Sequence, residues 1–291
     1  MLRAALATTS PRQLASTFPT AGAWLSAAGL GASYLGGSAA MCTEAAAPAA
    51  AAAMPEVLLY QYATCPFCNK VKAFLDLHNV AYRVVEVNPL TKKEAKAVTD
   101  FKMVPFAFVD GAEVRESKSI IEHIAARLPA DEVIAPSDGS DEEARWSEWV
   151  DDKLVHILPA NIYRTPSEAL QAFDYISENS NIGGLGQQLM AKYSGAVIMY
   201  AITQLKLKKK YGIPDDGERQ ALYDAVGEWT ASLQGRDFLG GGAPNLADVS
   251  VFGVLRSLEG YPTFDDMLAN TDVGGWYERM AAVVGGSARQ L

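Results

Sequence analysis

Residues 57–77 read Val57-Leu58-Leu59-Tyr60-Gln61-Tyr62-Ala63-Thr64-Cys65-Pro66-Phe67-Cys68-Asn69-Lys70-Val71-Lys72-Ala73-Phe74-Leu75-Asp76-Leu77. The first six are strand formers. From Val71 onward, Val71, Phe74, Leu75 and Leu77 recur at helical spacing. Two cysteines therefore fall where a strand ends and a helix begins, with Cys65 at the helix N-terminus. Unpaired backbone N–H groups and the helix dipole favour a thiolate over a thiol at such a place. Pro66 suits the first helical position, where its missing N–H costs nothing.

Other uses of the pair are weaker. Zinc needs about four ligands, and the third cysteine, Cys42, lies in a low-complexity stretch. A structural disulfide is poorly motivated in a chain long enough to build its own core. Strand, Cys-x-x-Cys, helix is the order of a thioredoxin-like thiol site.

Further on, Met103-Val104-Pro105-Phe106-Ala107-Phe108-Val109 is an apolar strand with proline at its start, where a strand tolerates it. Asp110-Gly111 then predicts a hairpin turn into Ala112-Glu113-Val114. Glu116-Ser117 precedes Ile120, Ile121, Ile124 and Leu128 at helical spacing, with Ser117 as the expected N-cap.

This layout resembles the N-terminal domain of glutaredoxins and glutathione transferases. The resemblance implies a cis-proline at Pro105 beside the active cysteine. It also implies a glutathione site in which Val104 supplies backbone hydrogen bonds and Glu116-Ser117 receives the γ-glutamyl end. A helix N-terminus is a fitting place for that carboxylate, although an ordinary cap beside a surface glutamate is an alternative for the pair.

Later blocks narrow the resemblance. Asp151-Asp152-Lys153-Leu154-Val155-His156, Asn161-Ile162-Tyr163-Arg164-Thr165-Pro166, Glu168-Ala169-Leu170, Phe173-Asp174-Tyr175, Ala191-Lys192-Tyr193 and Pro244-Asn245-Leu246-Ala247-Asp248 are similar to the type 2 prostaglandin E synthase family. That likeness runs from about Pro55 to near the C-terminus. It implies an isomerase that converts a prostaglandin endoperoxide to a 9-keto, 11-hydroxy product. Cys65 would be the working thiolate, with Tyr62 hydrogen-bonded to it, Cys68 supporting it, and Phe67 and His156 walling the substrate pocket. A glutathione-dependent thiol–disulfide oxidoreductase or glutathione transferase is the alternative, with Cys65 attacking and Cys68 resolving. The family also implies a homodimer, for which the apolar residues 186–205 are a candidate surface.

Haem, which glutathione ligates in the animal enzymes of that family, is expected to bind weakly or not at all. Lys153 and Pro159 flank His156 where a second basic residue and a serine belong. Leu205 stands in place of an arginine, and Lys209 keeps a charge.

The fold expected is α/β followed by all-α. Residues 55–128 make the thioredoxin-like domain, 129–140 a turn-rich linker, and 141–291 a helical domain of glutathione-transferase type. Helices are expected over 141–158, after the Thr165-Pro166-Ser167-Glu168 capping box, and over 186–210, 215–234 and 245–258, the last opened by Asn245 with Asp248 as an N-cap pair. Residues 1–54 carry Arg3 and Arg12, no acid before Glu44, and many Ala, Ser and Thr. That composition suggests organellar targeting, mitochondrial rather than chloroplast. Residues 21–41 are long enough to span a bilayer, so a retained membrane anchor is the alternative to cleavage, with an Ala-rich linker after it.

The chain has 291 residues, is 49% hydrophobic and carries a net charge of −9. That composition supports a large core and argues against a general nucleic-acid binder, which needs a basic surface. The partner expected is a small lipid or peroxide. The basic run Lys206, Lys208, Lys209 and Lys210 reads as a solvated helix end. Of the three histidines, His78 is expected at a helix end, His123 on the surface, and His156 either in the core or at the pocket.

Overall fold

A computed structural model describes residues 54–129, 134, 141–178 and 183–290. The expected targeting or membrane segment, its linker up to residue 53, and most of the 129–140 linker lie outside these. Among the described residues, no helix is long and apolar enough to cross a membrane.

The first domain begins with β1 (Val57–Gln61), α1 (Pro66–Leu77), β2 (Tyr82–Glu86) and the short α2 (Lys93–Lys96). It continues with β3 (Phe106–Val109), β4 (Ala112–Arg115) and α3 (Ser117–Ala125). The strands form one mixed sheet in the order β2-β1-β3-β4. β1 runs parallel to β2 and antiparallel to β3, and β3 is antiparallel to β4. Asp110 (φ 50°) and Gly111 (φ 81°) both adopt positive φ, as the expected tight hairpin requires. The strand–helix order and the thioredoxin-like sheet agree with the sequence reading.

The remainder is helical. A long rod starts as α4 (Asp141–Trp149), widens into a π-helical stretch (Val150–Leu154), and ends as α5 (Val155–Ile162). It outruns the expected end at residue 158. Pro159 removes a single backbone donor, while Leu158, Ala160, Asn161 and Ile162 are all buried. Packing thus outweighs a local breaker worth about 3 kcal/mol in an exposed helix.

α6 (Pro166–Gln171) and α7 (Tyr175–Glu178) follow. Next comes α8 (Leu185–Ile202), continuing through a π stretch (Thr203–Leu207) into α9 (Lys208–Lys210). The chain then forms α10 (Glu218–Ser232), α11 (Leu246–Arg256), α12 (Pro262–Asn270) and α13 (Gly274–Val284). Both anticipated capping boxes are present. Thr165 and Glu168 close one on α6, with Pro166 in its first turn. Asn245 and Asp248 close the other on α11.

α11 packs along α1 and anchors the helical domain to the thiol helix. Gly253 permits the approach. A Cβ there would lie 2.7 Å from Lys70 Cα and 2.8 Å from the Asn69 carbonyl oxygen. Buried Asp76 ties the same junction together. It accepts from Arg256 (2.8 Å), the Tyr82 hydroxyl (3.1 Å) and the Ala288 backbone N–H (2.9 Å). Lys70 adds an ion pair to Asp151 at 2.6 Å. By contrast, α8 exposes Leu185, Met190, Tyr193 and Val197.

Candidate active site

The thiol loop is held from three directions. The Cys65 N–H donates to the Tyr62 carbonyl (3.0 Å). Asn69 Nδ2 donates to the carbonyls of Ala63 (2.8 Å) and Cys65 (3.0 Å). Glu86, buried at the end of β2, accepts from the Ala63 N–H (2.6 Å) and from Gln61 Nε2 (3.1 Å). Neither Asn69 nor Glu86 stands out in the sequence. Only the parallel register, which sets Glu86 beside Gln61, gives the carboxylate its place.

Cys65 is the N-cap of α1, in an extended conformation (φ −73°, ψ 122°), with Pro66 in the first turn. It is partly exposed, Cys68 is fully buried, and both are free thiols. The hydrogen bond from the Cys68 thiol lowers the Cys65 pKa, opposed by burial and assisted by the N–H groups of Cys68 and Phe67. Burial pushes Cys68 well up, and its bond to Cys65 adds to this. The pair thus divides its roles, with thiolate on Cys65 and proton on Cys68.

Tyr62 departs from expectation. Its link to Cys65 is the backbone bond, and its hydroxyl makes no hydrogen bond to either sulfur. Burial, then the nearby Cys65 and Cys68, raise its pKa to about 12.

The Val104–Pro105 peptide bond is cis. Pro105 is buried, and its carbonyl accepts the Glu116 N–H at 3.2 Å. Glu116 is exposed with φ 69° and is itself the N-cap of α3. Ser117 is therefore the first helical residue and not the cap, a shift of one position caused by the left-handed backbone at Glu116. Ser117 is buried, at a helix end whose first N–H groups lack intrahelical acceptors.

Phe67 packs on the main hydrophobic core from the first turn of α1. His156 is half-buried, and its ring stacks on Tyr211 with centroids 4.2 Å apart. Burial and neighbouring Lys210 lower its pKa. Instead, buried Tyr163 comes to the loop. A hydrogen bond with Thr64 partly opposes the burial that raises its pKa. His78 caps α1 as expected, but His123 is half-buried rather than on the surface.

Lys153 pairs with Glu228, Leu205 is 75% exposed, and His156 is occupied by Tyr211. Among the described residues, no cluster of three or more His, Cys, Asp or Glu could hold a metal ion.

The glutathione S-transferase N-terminal domain family matches residues 59–132. Prostaglandin E synthase 2 of Danio rerio is 39% identical, over 77% of this chain and 70% of that protein. Its Mus musculus counterpart is 36% identical, over 79% and 70%. This chain belongs to the prostaglandin E synthase 2 family. A β-etherase from a Sphingobium strain shares the fold, with a TM-score of 0.52 and 22% identity over 78% of this chain and 95% of that one. A glutathione-transferase-like architecture, with a thioredoxin-like domain and a helical domain, is thus common to sequence family and structure.

Proposed function

We propose that this protein is a thiolate-dependent isomerase that converts a prostaglandin endoperoxide to the 9-keto, 11-hydroxy product. The observation that carries the reading is the division of the cysteine pair, with charge favoured on partly exposed Cys65. A soft thiolate suits a weak O–O bond. The sulfur attacks the oxygen on C9, an S–O bond forms and the O–O bond breaks. The alkoxide left on C11 takes a proton. Loss of the C9 hydrogen as a proton then drives C9=O formation, and the S–O electron pair returns to sulfur. One proton leaves carbon and one arrives on oxygen, so no outside oxidant or reductant is consumed.

Glutathione fits the same reading as a second ligand, lying along Val104–Pro105 with its γ-glutamyl carboxylate at the Ser117 helix end. A glutathione-dependent thiol–disulfide exchange has support from one further observation, the contact between the Cys68 thiol and Cys65, which suits a resolving thiol. Purified protein assayed in parallel with a prostaglandin endoperoxide and with a glutathione mixed disulfide tests both. Isomerisation above the thiol-free background supports the first reading. Disulfide reduction without isomerisation replaces it with the second.

A further inference from the structure

A cavity of about 370 Å³ lies behind the thiol loop, lined by Thr64, Lys72, Tyr175, Arg256, Tyr261 and Arg289 among others. It touches the loop at Ala63 and Thr64, the two residues before Cys65. Cys65, Asn69, Lys72 and Asp76 follow one face of α1, so Lys72 stands two turns, about 10 Å, below the thiol along the helix axis.

The charges around this cavity are unevenly used. Asp76 is saturated by Arg256, Tyr82 and the Ala288 N–H. Glu259 accepts the Tyr277 hydroxyl at 2.7 Å. Nearby Glu86 is engaged by Ala63 and Gln61. Lys72, half-buried, finds no hydrogen-bond acceptor or ion-pair partner among the described residues. Arg289, from the segment that pairs with the start of β2, adds a second cation with no carboxylate bound to it among the described residues. Burial, then the nearby Arg256, disfavour the charge on Lys72 more than Cys68, Glu86 and Asp76 favour it. An anion in the cavity relieves both effects. The Tyr175 and Tyr261 rings line the cavity as well, and at its thiol-loop end the wall is Ala63 and Thr64, next to Cys65.

We propose that this cavity binds the carboxylate of an amphipathic acid, with Lys72 as its principal contact and Arg289 as the second, and the acid's alkyl chain directed toward Cys65. This deepens the isomerase reading by naming how a lipid acid would be oriented, and it rests on that reading for the identity of the natural ligand.

Decanoate serves as an unreactive probe in isothermal titration calorimetry with the full chain. It is expected to bind, and its methyl ester to bind at least about tenfold more weakly, the loss of one charge-assisted contact. Lys72→Met should lose about tenfold or more, Lys72→Arg should stay within a few-fold of wild type, and Arg289→Ala should fall between. Equal binding of acid and ester, or unchanged binding in Lys72→Met with an unaltered melting temperature, overturns the proposal. Inorganic phosphate displacing decanoate at equal concentration overturns the assignment to an amphipathic acid. Decanoate binding does not need the sulfur, so it should persist in Cys65→Ser. Persistence there, alongside a wild-type protein that fails to isomerise an endoperoxide, supports the cavity site and refutes the isomerase reading.

Discussion

The N-termini of α1 and α11 put the same backbone groups to opposite uses. Each helix starts with N–H donors that have no intrahelical partner. At α11 the Asn245 side chain accepts from Ala247 and Asp248 at 3.1 Å each. Asp248 in turn accepts from the N–H groups of Asn245, Leu239 and Gly240 and from Trp276 Nε1. At α1 the cap is Cys65, which closes no side-chain cap hydrogen bond, so the donors of Phe67 and Cys68 remain to favour charge on sulfur. One helix end is spent on stability, and the other is kept for chemistry. The two lie on helices packed directly against each other.

The largest expected effect breaks the reactive end. Cys65→Ser should abolish activity, a loss of at least about 100-fold, because a hydroxyl cannot supply a thiolate near neutral pH. Cys68→Ser should keep activity within a few-fold. Steady-state kinetics of the two variants check this. Equal losses would instead make the dithiol the working unit.

Breaking the structural end should cost stability. Asp248→Ala leaves four donors without their acceptor, and the two that are buried, the Leu239 N–H and Trp276 Nε1, are each worth about 1–3 kcal/mol. Partial relaxation brings the expected total to about 3–5 kcal/mol, read from urea unfolding with an unchanged m-value. A cost below about 1 kcal/mol would mean that the box is decoration on an already stable helix.

A third measurement separates the helix end from the partner thiol. The rate of Cys65 alkylation by iodoacetamide, followed against pH, gives the midpoint for thiolate formation. In the wild type it should lie below the ordinary cysteine value, so reactivity persists as pH falls until that lowered midpoint is crossed. Cys68→Ala removes the largest stabilising contact. A hydrogen bond to a charged group is worth about 1.5–3 kcal/mol, so the midpoint should rise by about one to two pH units. An unmoved midpoint would assign the effect to the backbone N–H groups alone.

How much of this was legible in the sequence depends on the distance over which each feature is decided. The β1–α1 junction, the Asp110-Gly111 turn and both capping boxes were readable because three or four neighbouring residues fix them. Ser117 was misplaced by one position, since nothing local announces that Glu116 will take positive φ. The continuation past Pro159 was missed because the buried face of α5, not its propensity, decides it. Glu86 reads as one more polar residue in a strand until β1 and β2 pair. Asp76 acquires its role from Arg256 and Ala288, 180 and 212 residues away. The expected Tyr62–Cys65 bond came from family likeness. In the structure the link between Tyr62 and Cys65 is the backbone bond to the Tyr62 carbonyl.

The smallest effect sharpens the comparison most, because it uses the same variant with a different readout. If the α1 end is held open for chemistry, filling it should stabilise the fold. Cys65 already has the extended backbone of an N-cap, so serine needs no rearrangement there. Its oxygen can accept from the N–H of Phe67 or Cys68 as Asn245 does at α11. A good cap is worth about 0.5–2 kcal/mol over a non-capping residue. The thiol already gains part of that from the same donors, so Cys65→Ser should stabilise by about 0.5–1 kcal/mol while activity is lost. That is the trade expected where a site is kept below its stability optimum for function. Thermal unfolding measures it, with a gain of a few degrees expected at most. A clear loss of stability would mean that the thiolate and Cys68 together hold the loop more strongly than a conventional cap does, and that α1 and α11 differ in chemistry without differing in how well their ends are satisfied.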